Sequence, residues 1–121
     1  MIEVDMSGGR LHRADLTGVT HLNLSRNRLT TLPDWVGDLR SLVRLDLSHN
    51  DLAALPESIG NLTQLVSLDL SDNRLSALPE SFANLGSLTT LRLDGNPFAG
   101  VPDHLPDGVR IFDLNEGRSA W

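Results

Sequence analysis

The sequence predicts an α/β solenoid, in which short units of one design stack along a single axis. Asparagine recurs at a fixed interval of 23 residues, at Asn27, Asn50, Asn73 and Asn96. Around each asparagine the chain repeats the pattern L-x-x-L-x-L-x-x-N-x-L-x-x-L-P, with a few apolar replacements. A constant period in this range is typical of solenoid proteins, so we expect the 121 residues to form one repeat domain.

The repeat pattern weakens at both ends of the chain. Gly9 takes the place of the asparagine at the N-terminal end, and Gly117 takes it at the C-terminal end. The last strand starts at Val109 or at Ile111, and the Val109 register is preferred because it keeps three apolar positions and the glycine. The predicted units are 1–18, a degenerate repeat and cap; 19–41, 42–64 and 65–87, full repeats; 88–108, the last repeat; and 109–121, a C-terminal cap.

Each unit begins with a segment in which apolar and polar residues alternate. In the second full unit Leu45 and Leu47 share one face, and Arg44 and Asp46 share the other. This period of two predicts a short β-strand. The apolar face recurs in every unit, so stacking builds a continuous leucine core, and each buried leucine contributes about 1.5–3 kcal/mol.

The asparagine follows the strand, at the point where the chain turns away from the sheet. Its side-chain amide offers two donors and one carbonyl acceptor to backbone groups that the sheet leaves unpaired. Stacked from unit to unit, these amides are expected to form a structural ladder. Loss of one amide should cost about 1–3 kcal/mol where backbone groups lose their partner.

The Leu-Pro pair in each unit predicts a short helical turn. In the second full unit Pro56 suits a first helical turn, and Ile59 and Leu62 are spaced to point inward together. Gly60 or Asn61 can then end the turn. Trp35 takes the equivalent of an outward serine, so it either covers the thin first unit or serves as an interface anchor.

These units resemble the leucine-rich repeat family, in the 23-residue form with Leu-Pro-x-x-Ile-Gly-x-Leu on the return path. That form is typical of the Ras-suppressor-like intracellular group, and bacteria carry it too. The resemblance implies an arc with a parallel β-sheet of about six short strands on its concave face and short helical or 3₁₀ turns on its convex face. It also implies a non-catalytic surface for protein recognition.

Composition narrows the function further. The net charge is −6, with 16 acidic and 10 basic residues, which argues against nucleic acid as a partner. The sequence has no apolar run long enough to cross a membrane and no basic, apolar start typical of a signal peptide.

Cysteine is absent, which fits a reducing, cytoplasmic setting. The basic residues are all arginine, which suggests a GC-rich, bacterial genome, and Met1 with two degenerate ends favours a complete small protein.

Enzyme chemistry, cofactors and metals are not expected. The sequence has no phosphate-binding loop and no G-x-S-x-G motif, and Ser7-Gly-Gly-Arg10 is too short for the former. Its histidines lack the helical spacing of common metal motifs. Catalysis by two neighbouring aspartates, Asp46 and Asp69, is also disfavoured, because an open sheet has no pocket that excludes water.

The outward strand residues form columns across the sheet and are the candidate binding surface. Asp46 and Asp69 fall on neighbouring strands, where two carboxylates repel. Arg44 and Arg92 can neutralise them, solvent can screen them, or they accept a basic side chain of a partner. The candidate partner-binding residues are His21, Asn23, Arg26, Arg44, Asp46, His49, Asp69, Asp72, Arg92 and Asp94.

Three of these candidates, Arg26, His49 and Asp72, are predicted to form a row across neighbouring turns. The row is either a surface ion-pair ladder or a part of the binding site. We therefore expect a monomeric protein-binding module with a mainly acidic concave face and a partner that carries a basic patch. The alternative is a structural or self-associating repeat protein that uses its edge strands.

Overall fold

The computed structural model describes residues 1–9 and 16–112, and for Phe112 the backbone. Its described residues form one six-stranded sheet in which every neighbouring pair is parallel and the strand order follows the chain. The predicted solenoid with a parallel sheet on its concave side is confirmed. The strands are β1 (Glu3–Asp5), β2 (His21–Asn23), β3 (Arg44–Asp46), β4 (Ser67–Asp69), β5 (Thr90–Arg92) and β6 (Arg110–Phe112).

The strand register follows the repeat from β1 to β5. Leu45 lies opposite Leu22 on one side and Leu68 on the other, as the 23-residue period predicts. The short first unit also pairs in the predicted way, with Val4 opposite Leu22. Because side chains alternate along a strand, this register places one leucine of every strand toward the core and keeps its polar neighbours outward.

The predicted register of β6 is wrong. A last unit that starts at Val109, aligned with Leu88, would put Phe112 opposite Leu91, but Ile111 takes that position. The alternative start at Ile111 is also wrong, because it would place Ile111 opposite Leu88. A shift of one residue exchanges the two faces of a strand, so Ile111 leaves the outward column and packs against the core.

The cause lies in the connection between β5 and β6. In this unit the segment Pro106–Gly108 replaces the second apolar anchor, and no 3₁₀ helix forms there. Gly108 takes a left-handed φ of +76°, which turns the chain back to the sheet early. Val109 therefore packs beside the core ahead of the strand. The predicted C-terminal cap beyond residue 112, including Gly117, lies outside the described residues.

Short 3₁₀ helices cover the convex side of the first three full units, as predicted. Each one begins directly after the proline of a Leu-Pro pair, which cannot donate a backbone hydrogen bond and so suits this position. Each helix buries one apolar side chain near its middle: Val36, Ile59 or Phe82. The helices span Asp34–Asp38, Glu57–Asn61 and Glu80–Asn84.

The 3₁₀ helices of neighbouring units approach closely through glycine. A Cβ atom added to Gly37 would lie 2.8 Å from Ser58 Cβ, and one added to Gly60 would lie 2.6 Å from Ser81 Cβ. Gly60 therefore sits inside its helix and serves a contact between units. Trp35 occupies the same helix position as the two serines, is partly buried and packs against the core, as its cover interpretation requires.

One leucine-rich core runs through the described units between the sheet and the convex turns. Leu45, Leu68 and Leu91, the central residues of three successive strands, have no exposed surface. The leucines three residues before and two residues after each of them belong to the same cluster, as do the buried apolar residues of the 3₁₀ helices. Burial of this continuous stripe is the main force that stacks the units.

Candidate functional site

The asparagine ladder joins each unit to the one before it. Asn73 Nδ2 donates to Leu70 O at 3.1 Å in its own turn and to Leu47 O at 3.0 Å in the preceding turn. Its Oδ1 accepts the backbone N–H of Leu52 at 3.1 Å. The equivalent bonds to neighbouring turns are made by Asn27, Asn50 and Asn96.

The outward strand aspartates also hold the turn that follows them. Asp46 Oδ1 accepts the Ser48 backbone N–H at 2.9 Å and the Ser48 hydroxyl at 2.6 Å. Asp69 Oδ1 binds Ser71 in the same way, at 2.9 and 2.7 Å. Ser48 and Ser71, which donate these bonds, are both buried, although strand alternation from Asp46 and Asp69 does not direct them to the core. The repeated Asp-x-Ser spacing in the sequence indicates this hydrogen-bonded turn.

The fifth strand replaces this hydrogen-bonded turn with an ion pair. Arg92 stands where β3 and β4 have aspartate, and Asp94 stands where the turns after those two strands have Ser48 and Ser71. Arg92 Nε donates to Asp94 Oδ1 at 2.7 Å, and this bond raises the pKa of the Arg92 guanidinium. The side-chain hydrogen bonds that Arg92 makes within the described structure therefore go to Asp94, and none goes to Asp69.

The electrostatic setting of Asp69 shifts the pKa of its carboxyl group. Burial raises the pKa of its carboxyl above the ordinary value, and the negative charge of Asp46 raises it further. The hydrogen bonds from Ser71 and the positive charge of Arg92 act in the opposite direction. Among the described residues Arg44 forms no ion pair with either aspartate. The two carboxylates are thus held side by side without a cation in direct contact.

The residues that follow Ser25, Ser48 and Ser71 share an unusual backbone conformation. Arg26, His49 and Asp72 have φ values of +60°, +55° and +56°, in line with the left-handed Gly8 and Gly95. Non-glycine residues rarely adopt this conformation. Gly8 and Gly95 occupy the equivalent positions in the first and last turns of this series, so the sequence itself indicates a left-handed backbone there.

The predicted row across these turns forms only in part. His49 Nε2 lies 3.3 Å from Asp72 Oδ2, so this pair is in contact. Arg26 forms no ion pair within the described residues, and its backbone N–H donates to Ser48 O at 3.1 Å. His21 lies in the outward column of β2, with its Nδ1 atom 3.0 Å from Thr20 Oγ1. Asn23 Oδ1 accepts the Ser25 N–H at 2.9 Å, as the aspartates do in later turns.

The outward side chains of β1 to β5, which we call the concave polar face, border two adjoining depressions. One is about 440 Å³ and extends from Glu3 on β1 to Asp46 on β3. The other is about 400 Å³ and extends from Arg44 on β3 to Thr90 on β5. Arg44 and Asp46 line both of them. The face consists of Glu3, Asp5, His21, Asn23, Arg44, Asp46, Ser67, Asp69, Thr90 and Arg92.

Other kinds of site find little support in the part of the chain that is described. Within residues 1–9 and 16–112, no three histidine, cysteine, aspartate or glutamate residues come together as metal ligands would. The helices of the same ranges are all too short to span a bilayer.

The repeated units, the asparagine ladder and the polar concave sheet define a leucine-rich solenoid. A model of the leucine-rich repeat region matches residues 11–97, and the chain belongs to the leucine-rich repeat family. A comparison with curated proteins gave no match.

Solved structures give the same fold. A leucine-rich repeat protein of Leptospira interrogans is 37% identical and superposes with a TM-score of 0.72, over 78% of this chain and 25% of that one. A chain of the Toll–Spatzle complex of Drosophila is 30% identical with a TM-score of 0.55, over 66% of this chain and 11% of that one. The present chain is therefore similar to a minor part of each of these larger proteins.

Proposed function

We propose that this chain is a protein-binding module whose concave polar face receives a partner with a basic patch. The membership of the leucine-rich repeat family supports interaction with proteins in general. The particular observation behind the basic partner is the pair formed by Asp46 and Asp69. Each carboxylate has one oxygen bound by the following serine, and its second oxygen has no partner among the described residues.

The charges on the rest of the face favour the same partner. Glu3, Asp5, Asp46 and Asp69 face outward, against the two arginines Arg44 and Arg92, and Arg92 is already paired with Asp94. Complementary charge speeds association and selects partners more than it adds affinity. A basic partner surface would also relieve the repulsion between the two neighbouring aspartates.

The test replaces the two carboxylates without disturbing the turns that they hold. Asp46→Asn with Asp69→Asn keeps the side-chain acceptor, as Asn23 does in its own turn. The control, Asp38→Asn with Asp103→Asn, removes the same charge from exposed positions outside the sheet. Proteins captured from the native host by the wild type and the control should be lost with the concave variant. Equal capture by all three proteins would refute binding through this face.

Self-association through the edge strands is the alternative. It is favoured by the exposure of Met1 and Ile2, 86% and 49%, next to β1 at one end of the sheet. Sheet edges with exposed apolar neighbours tend to pair with other chains. Sedimentation equilibrium over a range of protein concentrations separates the two proposals, because a constant monomer mass excludes the alternative. An Ile2→Lys variant should dissociate any dimer built on this edge.

A further inference from the structure

Ser67 occupies an unusual place on the concave polar face. It lies between Arg44 and Thr90 in one column, and its side chain is the smallest of the three. Ser67 is only 5% exposed, and its Oγ atom is buried without a hydrogen-bond partner in the described structure. Buried polar atoms are nearly always paired, so an unpaired hydroxyl on an outward strand position points to a missing donor or acceptor.

The surroundings of Ser67 supply two more unpaired acceptors. Asp46 and Asp69 line the same depression of about 400 Å³. The Oδ1 atom of each aspartate is bound by the following serine, whereas neither Oδ2 atom has a partner among the described residues. Val66, which is 37% exposed, provides an apolar wall to the same depression.

We infer that this depression is a subsite for one arginine side chain of the partner, with its guanidinium against Asp46, Ser67 and Asp69. The inference rests on the proposed function of the concave polar face. A guanidinium carries five donors in a planar fork, whereas a lysine ammonium is a compact charge with three. The three unpaired oxygens belong to two neighbouring strands about 4.8 Å apart, so they suit the spread fork of arginine better than the single point of a lysine ammonium. The aliphatic part of the arginine packs on Val66, as long basic side chains do on apolar surface.

Ser67 is the specificity element in this subsite. The two carboxylates attract any cation. The Ser67 hydroxyl, which is buried in the protein alone, has to turn toward the depression, where it accepts from a guanidinium whose fork extends past the carboxylates. Arg44 lies directly beside Ser67 on the neighbouring strand and lines the same depression, so its positive charge directs an incoming guanidinium toward the two aspartates.

The experiment uses three capped tripeptides as probes: acetyl-Gly-Arg-Gly-amide, its lysine analogue and its citrulline analogue. Amide chemical shifts of the ¹⁵N-labelled protein should move saturably at Ser67 and Asp69 with the arginine peptide. Lysine should bind about tenfold more weakly, the worth of one hydrogen bond to a charged group. Citrulline keeps the shape without the charge and should leave the spectrum unchanged.

Two serine variants separate recognition from folding. Ser67→Ala should bind the arginine peptide about tenfold more weakly, because one hydrogen bond to the guanidinium is lost. Its urea midpoint should not fall, because the hydroxyl has no partner in the protein alone. Ser76→Ala, at an exposed position outside the sheet, is the matched control and should change neither quantity.

The inference is overturned by equal binding of the three peptides, by shifts confined to other parts of the surface, or by Ser67→Ala lowering stability while affinity stays constant. Concentration-dependent shifts at Ser67 without peptide would overturn it too, since a second copy would then be the occupant. If the captured partner requires Asp46 and Asp69 but arginine peptide does not bind, only the subsite is wrong. If the partner ignores both aspartates, the proposed function is wrong as well.

Discussion

At the scale of single residues, Asp46 and Asp69 combine a structural and an electrostatic role. One oxygen of each carboxylate holds the turn after its strand, and the other faces the concave side with no described partner. Asn23 shows that an amide can fill the structural role, because its Oδ1 atom accepts the same backbone N–H. Structure alone therefore does not require the negative charge at these positions.

The charge of Asp69 should make the protein less stable as the pH rises. Its folded-state pKa is raised above the value of about 3.9 for an unfolded chain, so the folded protein holds this proton more tightly. The protonated Asp69 therefore stabilises the folded protein fully at a pH below its pKa in the unfolded chain. This stabilisation is lost as the pH rises through its pKa in the folded protein. We expect Asp69→Asn to be more stable than the wild type at neutral pH, with the difference shrinking toward acid pH.

Urea unfolding of both proteins between about pH 3.5 and pH 7 measures this difference. Asp38→Asn, at an exposed position, is the control and should give a difference that is small at every pH. A variant that is less stable than the wild type at neutral pH would show that the carboxylate is needed for the turn itself.

The asparagine ladder predicts a larger effect at a single position. Asn73→Ala removes the partner of the Leu52 N–H. The carbonyl groups of Leu47 and Leu70 each lose one of two amide donors, because the asparagines on either side in the ladder still donate to them. Asn73 is buried, so water cannot easily replace the amide. The free energy of unfolding should fall by about 1–3 kcal/mol, or more if several groups stay unpaired. Asn61→Ala, at an exposed helix end, serves as the comparison in the same denaturation experiment and should have little effect.

At the scale of elements, the 3₁₀ helices stack through glycines that the repeat pattern alone assigns to turn ends. Gly60 lies so close to Ser81 of the next unit that a Cβ atom added to it would be only 2.6 Å from Ser81 Cβ. The third helix carries Ala83 at the equivalent position, and the unit that follows it forms no helix to be met. Trp35 fits in the serine position because no 3₁₀ helix precedes it among the described residues.

This packing predicts opposite outcomes for two glycine-to-alanine changes. Gly60→Ala places its Cβ 2.6 Å from Ser81 Cβ and from the Ser81 carbonyl oxygen, so the two units must separate. We expect a loss of about 1–3 kcal/mol, as for other overpacked contacts. Gly86→Ala meets nothing within 4 Å and should be neutral or slightly stabilising. Thermal unfolding should give a lower melting temperature for Gly60→Ala than for Gly86→Ala, and equal melting temperatures would contradict the proposed packing.

The repeat period made the sheet predictable as far as it stayed constant. The register of β2 to β5 follows from the period, because one turn differs from the next only in its side chains. The register of β6 does not follow, since Val109, Ile111 and Phe112 are all apolar and offer several alignments. The Arg92–Asp94 pair and the unpaired Ser67 were not predictable either, because both depend on contacts that no residue spacing specifies.

At the scale of the whole molecule, each unit contacts only the units beside it within residues 1–9 and 16–112. The 3₁₀ helix of the second full unit contacts those before and after it, and each strand pairs with its sequence neighbours. Stability is then close to a sum over units and the interfaces between them. Because the period is constant from β2 to β5, one unit can be removed without disturbing the phase of the others.

Deletion of residues 42–64 should therefore give a shorter folded protein. Leu22 would meet Leu68 in the old register, Asn27 would meet Asn73, and Gly37 would meet Ser81, since each new pair repeats an existing contact. Circular dichroism should show a cooperative transition at a lower melting temperature, because one interface is lost. Deletion of residues 42–53 is the contrasting variant: it joins two convex turns with no strand between them and should unfold the chain.

The same deletion separates the fold from the binding surface. It removes Arg44 and Asp46 and leaves Asp69 next to Asn23, so the paired carboxylates no longer exist. We expect the shortened protein to keep its sheet and to lose both the captured partner and the arginine tripeptide. Retained binding would place recognition elsewhere on the solenoid, whereas loss of folding would show that the units, despite their common pattern, have become dependent on their particular neighbours.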